Sequence, residues 1–144
     1  MVWKKPARQK LKQNLISKLF IPVKPVPASR PRISRYGNYY LQGYADFRKE
    51  IFRFFQTLKK KPVKDKVSFE VTLEIICSKP KKPTNDYPRG DIDNYTKAYL
   101  DSITYAGLAW EDDIQVVRLI ATKRYQKDGE DYGAILTIRE LKSI

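Results

Sequence analysis

Four aspartates and one lysine are spaced for chemistry. Asp91 and Asp93 flank Ile92, Lys97 follows four residues after Asp93, and Asp112-Asp113 come after Gly107. Alternation at a helix start puts both carboxylates of the Asp-Ile-Asp step on one side and turns Ile92 toward a core. Lys97 then shares a helix face with Asp93. Asp112 and Asp113 fall at the start of the next strand, and a helix start and a strand start can meet at one sheet edge. Such a cluster suits phosphodiester hydrolysis. The reaction needs a cation that neutralises phosphate charge and lowers the pKa of attacking water, and two Mg²⁺ about 3.5–4 Å apart do both. A few carboxylates suffice, because Mg²⁺ keeps water and substrate oxygens in its shell. A lysine beside them orients the nucleophile or steadies developing charge. The same residues also have a plainer reading: Asp91 as an N-cap, Asp93–Lys97 as an ion pair, and Asp112-Asp113 as a turn.

Composition narrows the chemistry. The 144 residues contain no histidine, which excludes imidazole-bound zinc and every His-based nucleophile or general base. The one cysteine, Cys77, allows no disulfide and no thiolate cluster within a chain. Any metal must therefore sit on oxygens, which selects Mg²⁺, with Mn²⁺ as a substitute. The formal net charge is +13. A field of that sign favours a polyanion, above all nucleic acid. The first 45 residues carry ten basic side chains and no acid, whereas residues 91–113 carry six acids and only Lys97. A basic chain that concentrates its carboxylates in one short stretch has the charge layout of a metal site inside a DNA-binding surface. No apolar run is long enough to span a bilayer, so no membrane is expected as partner. The basic start lacks the apolar core of a secretory signal, and a cytoplasmic setting is expected.

The elements that must position these residues follow from periodicity. Residues 1–14 read as a basic tail and 15–144 as one domain. Leu15–Val23 is a first strand. Pro27–Tyr40 reads as an irregular loop, interleaving Arg30, Arg32 and Arg35 with Tyr36, Tyr39 and Tyr40, a mixture that can hold phosphates and stack on bases. Tyr44–Leu58 carries Tyr44, Phe47, Ile51, Phe55 and Leu58 at helical spacing. Val67–Ile75 alternates as a half-exposed strand. The proline-rich Ser78–Gly90 loop carries Lys79, Lys81, Lys82 and Arg89, a second set of candidate phosphate contacts, and leads to Asp91. Ile92–Thr104 is a second helix with Ile92, Tyr95, Tyr99 and Ile103 on its apolar side. Ile114–Tyr125 and Tyr132–Leu141 are strands joined across Asp128-Gly129, a hairpin signal. The order β-α-β-α-β-β gives an α+β domain, a mixed β-sheet covered by two helices.

The stretch from Asp91 also resembles the RusA family of Holliday junction resolvases. Asp91, Ile92, Asp93, Asn94, Lys97, Asp101, Gly107, Asp112, Asp113, Gln115 and Val116 match its pattern, with Ile103 where leucine is commoner. The likeness extends more loosely from Leu19 to Leu141. The resemblance implies that Asp91, Asp93 and Asp113 bind the catalytic metal, with Asp112 as an alternative to Asp113, and that Lys97 assists catalysis. It further implies a Mg²⁺-dependent homodimer that cuts two strands of a four-way DNA junction symmetrically. Two other readings stand beside it: a non-catalytic protein of the same fold that binds branched DNA, and a nuclease for flaps.

Overall fold

A computed structural model describes residues 11–30, 32–39, 41–58, 66–107 and 109–143. The architecture is α+β, with a mixed sheet and two helices in a single domain. The strands are β1 (Leu11–Ile21), β2 (Arg32–Ser34), β3 (Gly37–Tyr39), β4 (Ser68–Cys77), β5 (Val116–Tyr125) and β6 (Gly133–Ser143); the helices are α1 (Gln42–Leu58) and α2 (Ile92–Ala106). The main sheet runs β1-β6-β4-β5, and β2-β3 form a separate two-stranded ribbon. The ribbon is not the irregular loop that the prolines suggest. Its turn closes because the Ser34 hydroxyl accepts from the Tyr36 N–H at 3.2 Å and donates to the Gly37 carbonyl at 3.0 Å, with Gly37 at φ 116°.

β4 pairs with β5 in parallel and with β6 antiparallel. The Asp128-Gly129 turn does form, with Glu130 N–H donating to the Lys127 carbonyl at 3.0 Å. Yet β5 and β6 are not hairpin partners. The connection steps over β4, which takes the position between them because it buries the most apolar side chains. Phe69, Val71, Leu73 and Ile75 are all fully buried on the helix-covered face. On its other face Glu70 is only 4% exposed, held between Arg118 of β5 and Arg139 of β6, the residues directly opposite it. β1 begins at Leu11, so residues 11–14 pair with the end of β6 instead of belonging to a tail. Backbone pairing is indifferent to side-chain polarity, and β6 extends far enough to supply the partner. The first ten residues lie outside the described residues.

The helical stripe of α1 buries Tyr44, Phe47, Ile51 and Phe55, and α2 buries Tyr95, Ala98, Tyr99 and Ile103. Both helices press these side chains on one sheet face, and the Phe47 and Tyr99 rings meet edge to face at 5.0 Å. Burying such rings is worth roughly 1.5–3 kcal/mol each. Ile92 does not join this stripe and stays 40% exposed. α2 ends where Gly107 adopts φ 71° and returns its N–H to Ile103 and Thr104. Just beyond, the fully buried Trp110 donates its indole N–H to the Thr104 hydroxyl at 2.6 Å, fixing the path toward Asp112.

Candidate active site and nucleic-acid interface

Helix α2 carries Asp93, Lys97 and Asp101 at four-residue intervals, which places them along one side of the helix. That side faces β5 across an open cleft of about 530 Å³, whose lining includes Asp93, Lys97, Asp101, Asp113, Leu119 and Ala121. Asp101, which the sequence shows only as a position of the family pattern, is brought into the site by the tertiary structure. Asp91 occupies the N-cap of α2 with extended backbone, and its side chain makes no capping bond. Its carboxylate is thus not spent on the helix. No ion pair joins Lys97 to Asp93 among the described residues, and Asp93 Oδ1 instead accepts from the Asn94 N–H at 2.9 Å. The ion-pair reading of Asp93–Lys97 therefore finds no support among the described residues, and the N-cap reading of Asp91 holds for its position but not for its side chain.

The adjacent aspartates before β5 do different things. Asp112 caps the short 3-10 turn Asp113–Gln115: its Oδ1 accepts from the Ile114 N–H at 3.1 Å, and Gln115 Oε1 accepts from the Asp112 N–H at 3.2 Å. Gln115 also donates to the Val67 carbonyl at 3.1 Å, tying the turn to the strand before it in the sheet. Asp113 faces the cleft. Partial burial, then hydrogen bonding with Asp112, then the negative charge of Asp101 and Asp112 push its carboxyl above the ordinary range.

The cleft is elongated. α2 starts beside the ends of β4 and β5, where Lys123 meets Gly90, and its later turns approach the start of β5, where Asp113 feels the charge of Asp101. Eight residues of helix separate Asp93 from Asp101, about 12 Å at 1.5 Å per residue. The helix start and the strand start therefore do not meet at one edge. Asp93 lines one end of the cleft and Asp101 and Asp113 the other, while Asp91 stands just outside it at the N-cap. Among the described residues no group of three Asp, Glu or Cys side chains is gathered into a metal-ligating cluster. The donor set still suits a hard dication: the acidic donors are all carboxylates, the field at Asp113 favours positive charge, and Mg²⁺ needs only one or two protein carboxylates beside substrate oxygens.

The candidate phosphate contacts form two groups. Arg30 and Arg35 are exposed beside and within the β2–β3 ribbon, and Arg32 begins β2. Lys79, Lys82 and Arg89 line a cavity of about 550 Å³, to which Lys24, from the segment after β1, adds a further cation, while Lys81 is exposed on the same loop. This loop is pinned. Lys79 N–H donates to Gln126 Oε1 at 3.1 Å, the Tyr95 hydroxyl donates to the Arg89 carbonyl at 2.9 Å, and Lys123 Nζ donates to the carbonyls of Pro88 and Gly90 at 2.7 and 2.6 Å. Gly90 adopts φ 94°, and a Cβ there would come 2.9 Å from the Tyr95 ring. Cys77 lies at the back of this cavity, and burial, outweighing its bond with Tyr95 and the charge of Lys123, raises its thiol pKa. It is a small core residue, not a nucleophile.

A protein-family model described as endodeoxyribonuclease RusA matches residues 22–132, most of the chain. No curated protein matches the sequence.

Proposed function

The chain belongs to the endodeoxyribonuclease RusA family, and from that premise we propose a Mg²⁺-dependent, structure-selective nuclease that resolves four-way DNA junctions by paired symmetric incisions. The observation that carries this reading is the cleft itself. Asp93, Lys97, Asp101 and Asp113 share one exposed groove in a protein of net charge +13.

Asp91, Asp93 and Asp113 are the residues that would hold the metal, with Mn²⁺ able to replace Mg²⁺. When bound, the dication neutralises charge on the scissile phosphate and lowers the pKa of the attacking water. Lys97 Nζ, exposed in the same cleft, orients that water or the developing oxyanion. Arg30, Arg32 and Arg35 hold one stretch of backbone and Lys79, Lys81, Lys82 and Arg89 another. The pinned loop keeps the second set in register with Asp91.

Two incisions related by a two-fold axis call for a homodimer. Of the rings that could serve an interface, Phe47, Phe54, Phe55, Tyr95 and Tyr99, only Phe54 keeps partial exposure; the other four are buried in the core. Strand β5 is available instead: it is a sheet edge, and its Val117, Leu119 and Ile120 are 62%, 43% and 43% exposed. Apolar residues on a free edge strand are a ready pairing surface. No helix among the described residues is long and apolar enough to cross a membrane, and a cytoplasmic site of action in a bacterial or phage-infected cell follows from the substrate.

The test is cleavage of a synthetic four-way junction, a flap and a linear duplex, each with and without Mg²⁺. The expected result is metal-dependent paired cutting of the junction. Asp91→Asn and Asp93→Asn should abolish cutting and keep junction binding. The separation of Asp93 from Asp113 along the cleft favours one rival, a non-catalytic binder of branched DNA. Metal-independent binding without cutting of any substrate would establish that rival, and preference for the flap would establish the other.

A further inference from the structure

One turn beyond Asp101, α2 presents Tyr105 on the flank that meets α1. Tyr105 is 68% exposed, and its ring lies 5.8 Å from that of Phe52, itself 37% exposed on α1. The Arg48 guanidinium stands 5.5 Å from the Tyr105 ring and 5.8 Å from the Tyr44 ring. Together with Ala45, Lys49 and Arg53 these side chains line a shallow depression on the flank of α1. Two exposed rings thus sit among three cations, one helical turn beyond Asp101.

The chemistry of this patch is specific. Exposed rings offer flat apolar faces that stack on any unpaired base, and interleaved cations follow a phosphate backbone. The bases of a continuous duplex are already stacked on one another and present no free face. A second copy of this chain is the less fitting occupant. A two-fold interface sets a patch against itself, which here would bring Arg48, Lys49 and Arg53 toward their own counterparts. The uncharged residues of the β5 edge serve a second copy better.

We propose that Phe52 and Tyr105, with Arg48, Lys49 and Arg53, form a platform for unpaired DNA strand next to the cleft, so that the nuclease recognises branched DNA partly through bases released from pairing. This rests on the reading of the chain as a nuclease for branched DNA, and gives that reading a second, metal-independent contact.

The experiment uses the full chain and a fluorescent oligothymidylate, with metal withheld. Wild-type protein should bind it more tightly than a linear duplex of equal length. Phe52→Ala with Tyr105→Ala should weaken oligothymidylate binding by on the order of tenfold or more and change duplex binding less than twofold. Tyr105→Phe, which keeps the ring, should bind as wild type. Lys49→Gln with Arg53→Gln should reduce the slope of log affinity against log salt by about 1.4, the loss of two contacts to single-stranded phosphate. Unchanged oligothymidylate affinity in the Phe52/Tyr105 double variant would overturn the platform. So would a change from dimer to monomer on sedimentation of that variant, which would make the patch a subunit interface. If the wild type fails to cut a junction yet binds oligothymidylate through these rings, the platform stands and the junction-nuclease reading falls.

Discussion

Lys123 of β5 donates to the carbonyl oxygen of Gly90 at 2.6 Å, so a strand side chain clamps the residue directly before Asp91. The same ammonium holds Pro88 at 2.7 Å. The approach to the α2 N-terminus is therefore set from the sheet, not by the loop alone.

Lys123→Met keeps the aliphatic stem and removes both donors. Stability should fall by about 1–2 kcal/mol, the net value of charged hydrogen bonds near the surface. Cleavage kcat should drop roughly tenfold through misplacement of Asp91, with a smaller change in KM, because Lys123 positions the site without touching substrate. Thermal melts and single-turnover cleavage measure the two effects. An unaltered kcat would mean that Asp91 is held without the clamp.

Asp112 and Asp113 should separate on substitution. Asp112→Ala loses a cap and should destabilise by about 1 kcal/mol. Asp113→Asn should do the opposite. A carboxyl whose folded pKa is raised costs stability once it ionises, as pH rises from the unfolded value through the folded one. The asparagine variant should therefore melt higher than wild type at neutral pH and equally in acid, while losing cleavage. A lower melting temperature at neutral pH would show that Asp113 is not repelled by its neighbours.

Lys97→Ala should cost rate on the order of 10², as expected for loss of a preorganised charge at the reacting centre, and leave metal affinity nearly unchanged. Were Lys97 an ordinary helix-surface cation, its removal would cost about 0.3–0.5 kcal/mol of stability and no rate. Rapid-quench cleavage together with a Mg²⁺ titration of the melting temperature distinguishes the two.

The acid limb of stability should depend on Glu130. Hydrogen bonds from the Arg124 guanidinium, then from the Lys127 N–H, hold its carboxyl down to about 2 from 4.5. The same guanidinium also bonds Glu74 of β4 at 2.8 Å. A depressed carboxyl contributes stability above its unfolded pKa and loses it as pH falls through the folded one. Glu130→Gln should therefore lower stability at neutral pH and flatten the decline between about pH 4.5 and 2. Parallel melting curves for the two proteins across that range would refute the assignment.

How much was legible in the sequence follows from what each signal depends on. The stripes of α1 and α2 and the alternation of β4 are local periodicities. They marked Phe47, Ile51, Phe55, Tyr95, Tyr99, Phe69, Val71 and Leu73 as the apolar sides of their elements, because a helix or strand repeats its burial at a fixed interval, but packing alone decided that the helix rings belong to the core and not to an interface. The motif spacing likewise put Asp93 and Lys97 on one side of α2. Strand order was not legible. The Asp128-Gly129 turn is local, but whether its flanking strands pair depends on the competing apolar surface of β4, which displaces β5 from β6.

The line taken by the site was decided in the same way. The sequence names Asp91, Asp93, Lys97, Asp112 and Asp113, yet only the parallel β4-α2-β5 arrangement leaves the first two at the start of α2 and sets Asp113 in the field of Asp101, about two turns further along. That arrangement turns Asp113 into the cleft while Asp112 caps, and brings Asp101 into the field of Asp113. Side-chain identity and spacing determined which groups are available for chemistry. Their distances, partners and exposure, including the exposure of the Phe52 and Tyr105 rings, were set by packing between segments far apart in the chain, which no local pattern encodes.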